Sequence, residues 1–99
     1  MTKQELVSRM QEGQAWIPDK RVKLDFGSEG VILLDGAGNH VTEEDDAADT
    51  TIKVSWDDWQ QMAAGQLDGM TAFMTGKLRI EGDMSNAMQL QGVLAKLRG

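Results

Sequence analysis

The chain has no cysteine, no tyrosine, one histidine and one proline in 99 residues. Without cysteine there is no disulfide, no thiolate nucleophile and no thiolate metal ligand, which fits a reducing cytoplasm, the expected location. Positive charge is scarce. Ten lysines and arginines face sixteen aspartates and glutamates, for a net charge of −6 and a pI near 4.6. That balance excludes nucleic acid as a partner, since phosphate neutralisation needs a basic surface. It also disfavours lasting attachment to anionic membranes, leaving at most transient contact. No apolar run approaches the roughly twenty residues of a transmembrane helix. The opening residues Met-Thr-Lys-Gln-Glu-Leu lack the apolar core of a signal peptide. Ala95-Lys96-Leu97 is followed by Arg98 and Gly99, so it is not read as a peroxisomal address.

What is present suits one globular domain, residues 1–99, with 40% hydrophobic and 26% charged residues. Leu6, Val7 and Met10 recur at helical spacing over residues 3–12, with Thr2 as N-cap and Gly13 as stop. Pro18 keeps the apolar link Ala15-Trp16-Ile17 out of a helix, and Trp16 is expected to tuck against the core. Arg21 to Phe26 alternates, with Val22, Leu24 and Phe26 on one face, which predicts a half-buried strand. Gly27-Ser28-Glu29-Gly30 turns the chain into a strand over Val31–Leu34, whose unbroken apolar run implies cover on part of both faces. A second turn, Asp35 to Asn39, leads to a short strand near His40 to Glu43. The run Glu43 to Asp49 reads as a solvated acidic loop, since the glycine and ligand spacing of a calcium loop are missing.

Thr50 to Trp56 alternates again, and Ser55 with Asp58 forms a capping-box start for a helix carrying Trp59, Met62 and Ala63, stopped by Gly65. A short helix from about Gly69 ends at Gly76, a strand runs from Lys77 to Glu81, and Asp83 caps a final helix. The order predicts an α+β domain: one twisted sheet with helices packed on one face and the other face solvated. Gly65 to Leu90 organises the whole. Five of the seven methionines, namely Met62, Met70, Met74, Met84 and Met88, fall in or just before it, and flexible thioethers suit an adaptable hydrophobic cavity.

Chemistry-bearing residues are few. His40 follows a glycine-rich turn and reads as an exposed strand-start residue, with no nucleophile or orienting group in its local sequence. The serines Ser8, Ser28, Ser55 and Ser85 sit in helix, turn or capping contexts rather than on a nucleophile elbow. Lys77 and Arg79 point away from Leu78 and Ile80; solvation explains them, and a docking patch for a partner or a lipid head group is the alternative.

The second half of the chain resembles the sterol carrier protein type 2 family of lipid-transfer domains. The resemblance rests on Ala48-Asp49-Thr50-Thr51-Ile52, on Trp56-Asp57-Asp58-Trp59 with Gly65, on Ala72 through Met84, and on Ala87-Met88-Gln89-Leu90. The block from Phe73 to Met88, with its two glycines, alternating strand and Gly-Asp-Met helix start, is the most specific part. The meander before it fits more loosely, so roughly residues 20–95 are covered. The resemblance implies a five-stranded, mostly antiparallel sheet, an apolar tunnel between sheet and helices, and non-covalent binding of fatty acid, fatty acyl-CoA, phospholipid or sterol. It implies no cofactor and no enzyme activity, with a lipid-metabolising enzyme as a further partner. Two departures matter: the first helix is short, and a terminal peroxisomal tail is absent.

On that template Trp56, Trp59, Met62, Met70, Phe73, Met74, Leu78, Ile80, Met84, Met88 and Leu94 are the candidate cavity residues, against the plainer reading of the same side chains as core. The final helix, hung on Gly82, is the expected lid. The expected function is a non-enzymatic lipid carrier, monomeric or weakly dimeric. The rival is a protein-interaction or dimerisation module on the same fold with a filled tunnel. A small hydrolase ranks last.

Overall fold

The computed structural model describes residues 2–98, with side chains described through Leu90. Helix α1 (Lys3–Glu12) is followed by β1 (Arg21–Asp25), β2 (Val31–Asp35), β3 (His40–Thr42) and β4 (Thr50–Val54). Then come α2 (Trp56–Ala63), α3 (Gly69–Met74), β5 (Leu78–Gly82) and α4 (Met84–Arg98). The strands form one five-stranded sheet in the order β3-β2-β1-β4-β5. The expected meander β1-β2-β3 is antiparallel, and so is β4 with β5. The central pair, β1 with β4, is parallel, so the sheet is mixed.

Helix ends follow their local chemistry. Thr2 accepts the Glu5 amide at 3.1 Å, Ser55 the Asp58 amide at 3.1 Å, and Asp68 the Thr71 amide at 3.2 Å. Each bond satisfies a first-turn N–H that the helix itself leaves unpaired. Gly65, one residue past the α2 cap, holds φ +79°, the left-handed position that lets the chain leave the helix without a Cβ penalty.

Register places one residue set inward. Val41, Leu34, Val22, Thr50 and Gly82 form one row across the sheet, and Ile32, Leu24, Ile52 and Ile80 the next. The buried core joins these strands to Leu6 and Met10 of α1, Trp59 of α2, Ala72 of α3, and Ala87 and Leu90 of α4. All four helices therefore contribute to the layer on one sheet face, and Trp16 packs against it part-buried.

The opposite face is polar apart from Val31 and Leu33 of β2. Leu33 is only 2% exposed there. The acidic segment between β3 and β4 must pass β2 and β1 to reach the far side of β1, and Lys23 grips it through Asp45 at 2.6 Å. Lys23 is the register partner of Leu33, so the crossing runs over the same face as this leucine. The segment is otherwise exposed, with Glu43 on Lys3 at 3.1 Å and Asp49 accepting the Arg21 amide at 2.9 Å.

Asp35 ties the β2–β3 turn. It accepts the amides of Ala37 and Gly38 at 3.0 and 2.9 Å and the Arg21 Nε at 3.3 Å. The Gly38 amide lowers its pKa, burial opposes this, and Arg21 adds to the lowering. The start of α4 is equally fixed. Thr50 Oγ1 donates to the Asp83 carbonyl at 2.7 Å and accepts from the buried Asn86 side chain at 3.1 Å. Gly82, at φ +93°, lies where a Cβ would collide with the Asp49 carbonyl oxygen. The first turn of α4 is thus anchored to β4 and is not a free hinge.

Thr50→Val leaves the buried Asn86 amide and the part-buried Asp83 carbonyl without this partner and should lower stability by about 1–3 kcal/mol, read as an earlier urea midpoint. The pH response has a defined sign. Asp35 and Asp83 have folded pKa values below the ordinary 3.8. Between 3.8 and those lower values the unfolded chain binds more protons, so stability falls as pH drops through that window. Asp35→Asn, which keeps an acceptor for the turn amides, should shallow the acid-side slope in pH-dependent melting.

Candidate functional site

The nominated residues divide by depth. Trp59 and Leu78 are buried at 5% and 6% exposure. Trp56, Met62 and Ile80 are part-buried against the same core. Phe26 locks the aromatic pair, meeting Trp56 edge-on at 5.1 Å and Trp59 at 5.7 Å between ring centroids. Such edge-to-face geometry aligns a positive ring edge with a negative ring face. Trp59 Nε1 is buried with no acceptor among the described residues.

Met70, Phe73, Met74, Met84 and Met88 stand outside the core, 42–78% exposed. Met70, Phe73 and Met74 share one face of α3 by their three- and four-residue spacing, and Met84 and Met88 share one face of α4. Both helices pack against β5. Leu94 was nominated with them, and its side chain lies outside the described residues.

An open groove of about 470 Å³ follows β5, lined by Lys53, Phe73, Gly76, Leu78, Arg79, Ile80 and Glu81. Phe73, Leu78 and Ile80 supply an apolar side, while Lys53, Arg79 and Glu81 come from the polar sheet face. β5 is an edge strand, and only at an edge does one groove reach both faces of a sheet. Lys53 Nζ meets Glu81 Oε1 at 2.7 Å. That bond and the Glu81 charge raise the Lys53 pKa, with burial and Arg79 acting against them. Arg79 lies opposite Lys53 in register and makes no ion pair among the described residues. Lys53 and Glu81 were not singled out from the sequence. The signal was present, since alternation in β4 and β5 puts both on the polar face, but the pairing register was needed to bring them together.

His40 is exposed, as anticipated, with Nδ1 against the Gly38 carbonyl at 3.1 Å and Nε2 3.5 Å from Asp35. It belongs to the Asp35 turn. The acidic loop forms no metal-binding group among the described residues. Among those residues no helix is long and apolar enough to cross a membrane.

The profile of the SCP-2 sterol transfer family matches residues 9–95. The chain belongs to that family. Among SCP-2 relatives, a fatty acid-binding protein of Yarrowia lipolytica is 34% identical over 71 residues, 72% of this chain and 51% of that protein. Bovine sterol carrier protein 2 is 36% identical over 70 residues, 68% of this chain but 13% of that protein. The chain thus spans from about an eighth to half the length of these curated relatives. The solution structure of the Aedes aegypti sterol carrier protein 2 in complex with palmitate superimposes with a TM-score of 0.76 at 18% identity, over 96% of this chain and 97% of that one. At that identity the agreement establishes the SCP-2 fold, with the five-stranded sheet that the family resemblance implied.

The division by depth has a direct test. Trp59→Ala should lower stability by about 3–5 kcal/mol, as for other buried aromatics. Met74→Ala and Met88→Ala should stay within about 0.5 kcal/mol of the parent, as exposed positions do. Chemical denaturation of the three variants reads the difference.

Proposed function

We propose that this domain is a non-enzymatic lipid carrier that takes up a fatty acid, a fatty acyl-CoA or a related lipid and presents it to a lipid-metabolising enzyme in the cytoplasm. The observation that carries the reading is the exposure of Met70, Phe73, Met74, Met84 and Met88 on two helices that both pack against β5. Five large apolar side chains left in water are unfavourable by about 25 cal/mol per Å², and an acyl chain laid over them removes that area from solvent. Membership of a sterol transfer family, with a fatty acid-binding relative and a palmitate-bound neighbour in fold, supports the same ligand class.

The groove along β5 favours an amphiphile over a neutral hydrocarbon. Phe73, Leu78 and Ile80 offer the apolar stretch. Arg79, without an ion pair among the described residues, offers a charged donor for a carboxylate or phosphate head. Lys53 is already engaged by Glu81 and adds less. The enclosed Trp59 Nε1 is a second donor on the apolar side, available to an oxygen that enters the helix–sheet layer.

Native mass spectrometry of freshly purified protein, with organic extraction, should show bound fatty acid, acyl-CoA or phospholipid at near-stoichiometric amount. Clean apo protein that also leaves a fluorescent fatty acid in solution, and that dimerises with concentration, would replace the carrier reading with the interaction-module one. Phe73→Asp should abolish uptake while leaving the melting transition nearly intact. Arg79→Glu should weaken uptake of a fatty acid by roughly tenfold, the loss of one charge-assisted hydrogen bond of about 1.5 kcal/mol or more, and leave uptake of the corresponding methyl ester unchanged.

A further inference from the structure

With no cysteine in the chain, all of its sulfur is methionine, and that sulfur is unevenly placed. Met10 is 0% exposed at the centre of the core, and Met62 is part-buried against it. Met70, Met74, Met84 and Met88 are 64%, 78%, 49% and 71% exposed. Methionine is ordinarily among the residues most often buried. Here the four exposed thioethers fall as two pairs, each four residues apart on one helix face, and both helices pack against β5. Oxidation of a thioether converts a flexible apolar side chain into a polar one, and the change is reversible by methionine sulfoxide reductases.

We propose that Met70, Met74, Met84 and Met88 form an oxidation-sensitive site through which a peroxide switches off lipid uptake. At each position a sulfur lone pair attacks one peroxide oxygen. With hydrogen peroxide the S–O bond forms, the O–O bond breaks, sulfur loses two electrons, and the proton of the attacked oxygen passes to the departing hydroxide, which leaves as water. Reduction by a reductase with a dithiol donor returns the thioether, releases water and leaves a disulfide on the donor. The effect on the protein is local. The sulfoxides sit on exposed faces, so the core around Met10 stays apolar and the fold persists, while the apolar rows that the carrier reading assigns to the acyl chain become polar. The functional half of the proposal rests on that reading; the selectivity of oxidation does not.

The test treats the intact protein with hydrogen peroxide, quenches with catalase, and follows two readouts. Peptide mapping by mass spectrometry should show Met70, Met74, Met84 and Met88 each gaining one oxygen well before Met10, with the circular dichroism spectrum retained. Uptake of a dansyl-labelled fatty acid should fall by about tenfold or more, as expected when several buried methyl and methylene groups lose their apolar partner, and recover after treatment with methionine sulfoxide reductase and dithiothreitol. In a variant carrying Met70→Leu, Met74→Leu, Met84→Leu and Met88→Leu, whatever uptake the untreated variant shows should be unaltered by peroxide, because its exposed faces carry no thioether to oxidise. Oxidation of Met10 at the rate of the other four, or unaltered uptake by fully oxidised protein, overturns the proposal. If untreated protein takes up no probe, the carrier reading fails and the functional half fails with it. The oxidation map then still decides the selectivity.

Discussion

The parallel pairing of β1 with β4 is the constraint on which the rest of the molecule depends. It inserts β4 between the meander and β5, so β5 becomes an edge strand with α3 and α4 packed against it. A parallel neighbour cannot be reached by a tight turn. The chain reaches it by sending the acidic segment over the polar face, held by Lys23 through Asp45 and by the Arg21 amide through Asp49. The negative charge that looks like idle solvation in the sequence therefore holds the one connection that the sheet order requires.

Thr50 carries that constraint into the helical layer. It sits in register with Val22 on one side and Gly82 on the other, and its hydroxyl serves both the Asp83 carbonyl and the Asn86 amide. One side chain thus fixes the place where β4, β5 and α4 meet. The opening turn of the final helix is fixed there too.

Much of this was legible before the structure. Alternation in β1 and β4 gave the inward faces, Thr2 and Ser55 gave the starts of α1 and α2, and Gly65 gave the end of α2, because each depends on neighbours a few residues away. The unbroken run in β2 announced its two-sided cover. The parallel central pair was not legible, since periodicity describes one strand at a time and carries no information about which strand lies beside it. The depth of the methionines was hidden for a related reason. Met10 and Met74 are both apolar residues at helical spacing, and only packing separates the core residue from the solvent-exposed one. The Lys53–Glu81 bond needed the β4–β5 register, where a shift of one residue would have sent both side chains to the other face.

The placement of β5 has a consequence for solubility. An edge strand presents unpaired backbone N–H and C=O groups that can template pairing with another chain. On this strand the polar face carries Arg79 and Glu81, with Lys53 beside them on β4. A second copy pairing along β5 would bring two such charged edges together and strip their water. The residues that line the groove thus also act as gatekeepers against edge-to-edge aggregation, so recruiting them to make the groove more apolar would expose a sticky strand.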